Sequence, residues 1–417
     1  MNAGMSSKHE ADVPDRLDWR LMLPLFAIVT LYAAGIGAVL PVLPFYLREM
    51  GASPLILGVA LATEALSQSA ASPLLGQLSD RFGRKRVLLA SQIVAVVSLL
   101  LLALAQSIFT VLLARFLFGL TAGNFSAAAA YAADNSSPAN RRQAIGIVNA
   151  GLGLGAIVGA GLSSVLSDIS LTAPIYMALI LSASGIVVTT FGLNGGKVAG
   201  QASGEEAGER LSLRAIIGHP VIRVLVVVML CHFFAYGMYT SQLPNFLADR
   251  FVWNGHAIGP REFAYIIAAD GVINILVQLF LLGWLGRVFS ERRLIILIFG
   301  LLCTGFVSAL LASTIPTLAF AVLCISTADA LAKPTYLAAL SVHVSSKRQG
   351  LVMGTGQAMV AVTDIASPIM GGFIIGLGFY STWIGAVVAI ALTGAVIAAA
   401  GLPRVGGPKA ALPAPPR

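Results

Sequence analysis

The sequence predicts an all-α integral membrane protein with twelve transmembrane helices arranged in two pseudo-symmetric six-helix bundles. Hydrophobic residues make up 57% of the 417 residues and charged residues only 11%, which is far from the composition of a soluble domain. Apolar segments of about 20 residues, the length that crosses a hydrocarbon core as a helix, recur between charges, glycines and prolines. Two short motifs of the first half also recur in the second half.

The apolar segments form two sets of six. The first set covers approximately residues 21–47, 55–75, 87–105, 109–132, 144–166 and 174–191. The second set covers approximately residues 221–247, 263–282, 294–312, 316–339, 351–375 and 382–400. Each segment is apolar and long enough to cross a bilayer.

The segments divide the chain into an N-terminal bundle at 21–193 and a C-terminal bundle at 220–400. Residues 194–219 between them are rich in glycine, alanine, serine and charge, which predicts a cytoplasmic linker. Residues 1–20 are polar and predict an N-terminal cytoplasmic tail, and residues 401–417, rich in proline, glycine and alanine, predict a disordered one. Cys231, Cys303 and Cys324 fall inside predicted spans, so no disulfide framework is expected.

The repeated motifs lie at nearly the same offset from each other. Gly76, Leu78, Phe82 and Arg86 recur as Gly283, Leu285, Phe289 and Arg293, and the run 141–143 recurs as 347–349. Two repeated motifs at nearly the same offset indicate duplication of a six-helix unit, as in transporters whose substrate site lies between parallel repeats.

The charge distribution predicts the orientation of the chain. Lysines and arginines concentrate on the loops at one end of the predicted helices, whereas the other end carries Arg48, Arg250 and Arg261. By the positive-inside rule both termini are cytoplasmic. Two termini on the same side require an even number of spans, which agrees with twelve. This orientation explains the net charge of +8 without nucleic-acid binding, and it places the protein in the cell (inner or plasma) membrane.

The most specific local motif occupies the short turn between the second and third spans. It consists of Gly76, Leu78, Asp80, Arg81, Gly83, Arg84, Lys85 and Arg86. It resembles the signature loop of the major facilitator superfamily, which implies the major facilitator fold. Gly76 would permit close helix approach and Gly83 a positive-φ turn. Asp80 could accept charge-assisted bonds and form a latch that breaks when the halves rock. An ordinary positively charged turn would explain only the cations.

A second resemblance, over most of the N-terminal half, is to the drug/proton antiporters of that superfamily, particularly the tetracycline-efflux branch. The residues that carry it are Gly35, Gly37, Pro41, Pro44, Gln68, Pro73, Arg115, Gly119, Gly123, Tyr131, Asp134 and Arg141. The resemblance implies gating by the signature turn together with Asp134 and Arg141. Tyr32 departs from it, because the branch usually carries an acid before the first-span glycines. Ala160 departs from it as well, where the branch has a proline.

The fifth-span glycines predict helix packing. Gly151, Gly155 and Gly159 repeat at intervals of four residues, which lets another helix approach closely, and Gly119 and Gly123 have the same spacing. A dinucleotide fingerprint would need a preceding strand and a soluble βαβ unit. The chain also lacks a P-loop and the familiar hydrolase motifs, so we expect no enzyme activity and no cofactor. A proton gradient is then the expected source of energy.

Charged residues inside the spans are the main functional candidates, because each costs about 3 kcal/mol at the centre of a helix in the bilayer. They are the acids Glu64, Asp270, Asp329 and Asp364 and the bases Arg115 and Lys333. Burial of a carboxyl favours its protonated form, as a proton-loading site requires. Static ion pairs remain the alternative, and the spacing of Asp329 and Lys333 suits such a pair.

Glu64 and Arg115 are predicted to lie at nearly the same depth, about 14 Å and about 9 Å from one end of their spans. If the two helix faces meet, the arginine holds Glu64 ionised, and separation would let it take a proton. Gln68, one turn below Glu64 on the same face, would help to bind substrate.

Residues of the seventh span suggest a substrate cavity. His232 lies at mid-depth, where a hydrogen bond to a neighbouring helix is favoured over a proton relay. An amphipathic wall could be formed by Phe234, Tyr236, Tyr239 and Gln242 with Tyr32 and Tyr336. Ordinary core packing is the alternative for these aromatic side chains.

The sequence therefore predicts a secondary transporter that works by alternating access and exports a small amphipathic organic compound or drug in exchange for protons. Its expected partners are the lipid bilayer, the substrate and protons, and it is expected to act as a monomer. Proton-coupled uptake of a metabolite is one alternative, which Ala160 favours. A non-transporting receptor or scaffold is another, because a fold alone does not establish a function.

Overall fold

The structure, a computed structural model, describes residues 17–121, 123–137, 140–193, 220–342 and 349–403. Most of the predicted N-terminal tail, the predicted linker at 194–219 and most of the predicted C-terminal tail lie outside these residues. The second copy of the loop motif, at 347–349, lies almost entirely outside them as well.

The described chain is helical apart from one small hairpin. The helices of the first half are α1 Trp19–Val39, α2 Leu43–Glu49, α3 Pro54–Phe82, α4 Arg84–Ala103, α5 Ile108–Gly119, α6 Gly123–Asp134, α7 Arg141–Leu166 and α8 Ala173–Gly192. Those of the second half are α9 Pro220–Arg250, α10 Pro260–Leu276, α11 Leu282–Val288, α12 Glu291–Leu311, α13 Ile315–Val342, α14 Gln349–Gly376 and α15 Tyr380–Gly401. Strands β1 Val252–Trp253 and β2 His256–Ala257 pair antiparallel, and a π-helical turn, Val277–Leu281, joins α10 to α11.

Within the described residues, eleven helical segments are long and apolar enough to cross a membrane. The remaining pass, predicted as one helix over 109–132, consists of the two shorter helices α5 and α6. Thr121 and Asn124 make their backbone bonds to residues three positions earlier, so the chain tightens where the two glycines weaken the helix. With this pass the predicted twelve-span fold in two six-helix halves is confirmed.

The first pass is also interrupted, between α1 and α2. Pro41 cannot continue the helix, because it has no N–H and its ring clashes with the carbonyl four residues earlier. Pro44 then occupies the first turn of α2, where a missing N–H is tolerated. The span predicted over 21–47 is therefore confirmed as one membrane pass, residues 19–49, which is built from two helices.

Glycines set the closest helix contacts within the N-terminal half. A methyl group at Gly151, Gly155 or Gly159 of α7 would press on or collide with the backbone of α1. Gly119 of α5 is in a similarly tight position, because a methyl group there would collide with Ser67 and with the carbonyl oxygen of Glu64 on α3. Gly76 differs, because no atom of the described residues lies within 4 Å of where its side chain would be. The close approach predicted there is therefore absent from the part of the chain that the structure describes.

The two ends of the bundle are distinct. The motif side carries the Gly83 turn, the start of α1 and the end of α15, and the hairpin side carries β1 and β2. In the described part of the chain, two ion pairs join the halves, Arg48 with Asp249 at 2.7 Å and Arg261 with Asp168 at 2.8 Å. Both lie on the hairpin side. The Tyr380 hydroxyl also donates to Asp249, at 2.5 Å.

A reciprocal backbone contact, here called the clasp, closes the hairpin side. Pro54 and Gly58 on α3 have the same spacing as Pro368 and Gly372 on α14, and the helices run antiparallel. Gly58 lies against the Pro368 carbonyl and Gly372 against the Pro54 carbonyl, too close for any side chain. The buried Gln242 amide donates to both of these carbonyls, at 3.4 Å and 3.3 Å. The halves can therefore touch only because both positions are glycine.

We expect Gly58→Leu to hold the hairpin side open, because the leucine side chain cannot fit against Pro368. Spin labels at the exposed positions Ser53 and Leu377, in a background without the native cysteines, report the distance between the halves by electron paramagnetic resonance. The variant should show a longer distance than the parent. Gly161→Leu, at a glycine with no atom within 4 Å, is the control and should leave the distance unchanged. An unchanged distance in Gly58→Leu would contradict the role of the clasp.

Candidate functional site

Glu64 and Arg115 form an ion pair inside the N-terminal half. The Arg115 side chain is only 5% exposed, whereas Glu64 is 20% exposed. The pair forms because Gly119, one turn beyond Arg115, lets α5 lie directly against the Glu64 turn of α3. The guanidinium also lies 5.3 Å from the ring of Phe118. The predicted facing of these two side chains is therefore present in the structure.

Tyr32 belongs to the same cluster. Its ring stacks on Phe118 at 6.3 Å, and its hydroxyl lies 3.5 Å from the Thr121 hydroxyl. The Phe118 ring thus contacts both Tyr32 and Arg115. Gln68, one turn along α3 from Glu64, is exposed.

A second polar cluster lies in the C-terminal half and joins α9, α10 and α13. The buried His232 has its Nε2 atom 3.5 Å from the Asp329 carboxylate, so it contacts a neighbouring helix as predicted. Tyr236 lies within hydrogen-bonding range of Asp329. Aromatic rings surround the imidazole, with the centroid of Tyr336 at 5.5 Å.

Asp270 extends this cluster toward α10. It interacts electrostatically with the buried Ser326, and its carboxylate lies close enough to that of Asp329 for the two charges to repel. Two carboxylates and one imidazole therefore share a small region. Protonation of one carboxylate there removes its repulsion of the other.

Lys333 and Asp364 lie apart from this cluster. Asp329 does not pair with Lys333 in the described part of the chain, because its carboxylate is directed toward His232 and Tyr236. Lys333 instead acts electrostatically on Asp364 of α14. The pairing within α13 that their spacing allowed is therefore wrong.

The predicted substrate wall is divided between core and cavity positions. Tyr239 and Tyr336 are fully buried, and the ring of Tyr239 stacks on Trp383 at 5.7 Å. Gln242 is buried in the clasp. Tyr32, Phe234 and Tyr236 remain partly exposed. Core packing, and not substrate contact, therefore accounts for the buried Tyr239 and Tyr336.

The signature turn is held together within the N-terminal half. Gly83 has a φ of 94°, as predicted. Arg84 bridges Asp80 at 2.7 Å and Asp134 at 3.0 Å, which ties α3, α4 and α6 together. Arg81 lies over the ring of Phe82, and Arg141 is exposed. The partner of Asp80 in this structure is thus in its own half and not across the two halves.

The sequence reasoning missed Ser326 and the clasp. Ser326 carries no sequence signal, because its contact with Asp270 depends on the rotation of two helices. The clasp had a signal, the repeated proline and glycine spacing in α3 and α14. Among the described residues, no group of three or more His, Cys, Asp or Glu side chains could hold a metal ion.

Twelve membrane passes in two repeated halves, with ionisable side chains between and within them, define a membrane transporter. The sequence profile of the Major Facilitator Superfamily matches residues 25–362. The chain belongs to this superfamily, whose members are transporters and not enzymes, and it is an integral protein of the cell membrane.

Relatives support this assignment. Tetracycline resistance protein, class C, from Escherichia coli is 30% identical over 361 residues, which cover 84% of this chain and 88% of that protein. Multidrug resistance protein 2 from Bacillus subtilis (strain 168) is 27% identical and covers 83% of this chain and 86% of its own length. The crystal structure of the nucleoside transporter NupG has the same fold, with a TM-score of 0.75, 16% identity and coverage of 91% and 98%.

We expect Arg115→Met to lower the free energy of unfolding by about 3 kcal/mol, because it leaves the Glu64 carboxylate without its buried partner. The double variant Glu64→Gln, Arg115→Met should recover most of this loss. The matched control is Arg261→Met, which breaks an ion pair whose two side chains are 50% and 51% exposed; it should change stability by less than about 1 kcal/mol. Reversible unfolding in mixed micelles measures all three. Equal effects of the two arginine variants would contradict a buried pair.

Proposed function

We propose that the protein exports a small amphipathic organic compound in exchange for protons. The observation that carries the proposal is the Glu64–Arg115 ion pair, a carboxylate held at mid-depth beside a cation and still partly exposed. Export is also supported by the names of the relatives, which are resistance proteins for tetracycline and for multiple drugs. The motif side, with both chain ends, is then cytoplasmic, as the positive-inside rule predicts.

The proton step follows from the electrostatics of the pair. While the clasp holds the hairpin side closed, Arg115 favours the ionised form of Glu64. When the hairpin side opens, we expect α3 to move away from α5 within the N-terminal half. The Glu64 carboxyl then loses the nearby cation that favours its ionised form, and it takes a proton. The proton is released on the motif side when the pair forms again. One proton therefore enters for each cycle that carries substrate outward.

The position of Tyr32 supports a coupling role for Glu64. Tyr32 occupies the place where the resembled antiporter branch has an acid, and it packs on the same Phe118 ring as Arg115. An acid at the position of Tyr32 would lie near Arg115. Glu64, a carboxylate on α3, can act on the same arginine. His232, Asp270 and Asp329 form the next candidate proton site, in the other half.

We expect Glu64→Gln to abolish transport driven by a pH gradient and to spare counterflow exchange of substrate, which needs no net proton movement. The measurement is flux of a fluorescent drug in proteoliposomes with an imposed gradient, and Glu49→Gln, outside the cluster, is the control. A Glu64→Gln variant that still concentrates drug with the wild-type pH profile would contradict the proposal and move the proton site to the C-terminal half. Accumulation in the direction of proton flow would identify uptake instead.

The latch at Asp80 stays a prediction. In the state that is closed on the motif side, we expect this carboxylate to leave Arg84 and to bind donors of the other half. Asp80→Asn should then reduce flux strongly with normal membrane insertion, whereas Glu291→Gln, a carboxylate on the same side of the membrane, should not. Wild-type flux in Asp80→Asn would exclude the latch.

A further inference from the structure

A cavity of about 240 Å³ lies between the two halves, directly beneath the clasp. Its N-terminal wall is apolar and includes Leu40, Leu43, Leu57 and Leu61. The opposite wall, from α9, α10 and α14, brings several polar groups to the same space. Because both halves line it, the cavity in this form exists only while the hairpin side is closed.

The polar groups of this cavity are acceptors. Asp364 supplies a carboxylate that makes no ion pair or hydrogen bond within the described residues, although Lys333 acts on it electrostatically. The Thr240 hydroxyl donates its proton to the Tyr236 carbonyl at 2.9 Å, and the Ser241 hydroxyl donates to Met238 at 3.4 Å. Both hydroxyl oxygens therefore have lone pairs left to accept a bond.

Two prolines add to this acceptor character. Pro244 and Pro368 lie inside α9 and α14 and also line the cavity. A proline cannot donate to the carbonyl four residues earlier, which deprives the carbonyls of Thr240 and Asp364 of their helical donors. Both of these residues belong to the lining as well. The same wall thus combines a carboxylate, hydroxyl oxygens and two carbonyls that lack their usual helical donor.

Ser367 also belongs to the lining, but its hydroxyl oxygen is buried against Gly237 of α9. It makes no hydrogen bond within the described residues. The polar character of the wall therefore comes from Asp364, Thr240 and Ser241.

We propose that this cavity binds a small lipophilic amine, with its ammonium group on the Asp364 side and its apolar body against the leucines. An ammonium has three donors and no acceptor, so it matches a wall of acceptors, and its charge compensates a carboxylate that has no ion pair. The volume suits a ligand with one aromatic ring and a short chain and is smaller than typical pockets for drug-sized molecules. Binding bridges the halves and favours the closed hairpin side.

The test is calorimetric titration of the purified full chain, without any pH gradient, with three probes of nearly the same shape. Phenethylamine should bind, whereas the neutral phenethyl alcohol and the anionic hydrocinnamate should bind about tenfold more weakly or not at all. Asp364→Asn should weaken phenethylamine about tenfold and leave the alcohol unchanged. Glu49→Gln, a carboxylate outside the cavity, should leave all three affinities unchanged.

A second variant covers the case in which Asp364→Asn does not fold. Leu61→Trp fills the cavity from the other half and keeps the Asp364 carboxylate in the chain, and it should abolish binding of phenethylamine. The site is overturned if the three probes bind equally, if phenethylamine does not bind, or if both folded variants bind it as tightly as wild type. Binding is measured without a gradient, so none of these results decides whether Glu64 couples transport to protons. The flux assay of Glu64→Gln tests that proposal separately.

Discussion

The structure depends on one constraint: an ionised side chain inside the hydrocarbon region must have a partner or face a polar space, because leaving it in lipid costs about 3 kcal/mol or more. The Glu64–Arg115 pair satisfies this constraint in the N-terminal half. It requires α3 and α5 to lie in direct contact, and Gly119 makes that contact possible. A single glycine therefore links helix packing to the electrostatics of the candidate proton site.

The same use of glycine operates between the halves. In the clasp, Gly58 and Gly372 let two backbones touch, and Gln242 donates to the carbonyls on both sides. Such a contact has little interdigitation of long side chains, so its surfaces can separate and meet again without repacking a core. The flanking ion pairs are exposed, and each contributes only about 0 to 1 kcal/mol. The hairpin side is thus closed by contacts that a modest difference in ligand or proton binding can reverse.

Much of this architecture could be predicted from the sequence, because it follows from properties that act along one helix. Apolar length predicted the passes, and small-residue spacing predicted that another helix packs closely on α7; the structure shows that this helix is α1. Equal depth made the pairing of Glu64 with Arg115 plausible. The errors come from features that depend on how neighbouring helices are rotated. Asp329 contacts His232, where pairing with Lys333 was an equal alternative, and Gly76 has no close neighbour among the described residues. The break of the fourth pass between Gly119 and Gly123 was also missed, because glycines inside a membrane helix more often signal packing than interruption.

In the proposed cycle, the partner of Glu64, and with it the protonation of its carboxyl, changes with the side to which the protein is open. Infrared difference spectroscopy tests this directly, because the carbonyl stretch of a protonated carboxyl is resolved from that of a carboxylate, and the Glu64 band is identified by its loss in Glu64→Gln. We expect mild acid to produce this band in Gly58→Leu, which holds the hairpin side open, at a pH where the closed wild type does not show it. The same band at the same pH in both proteins, or no band that Glu64→Gln removes, would contradict the claim.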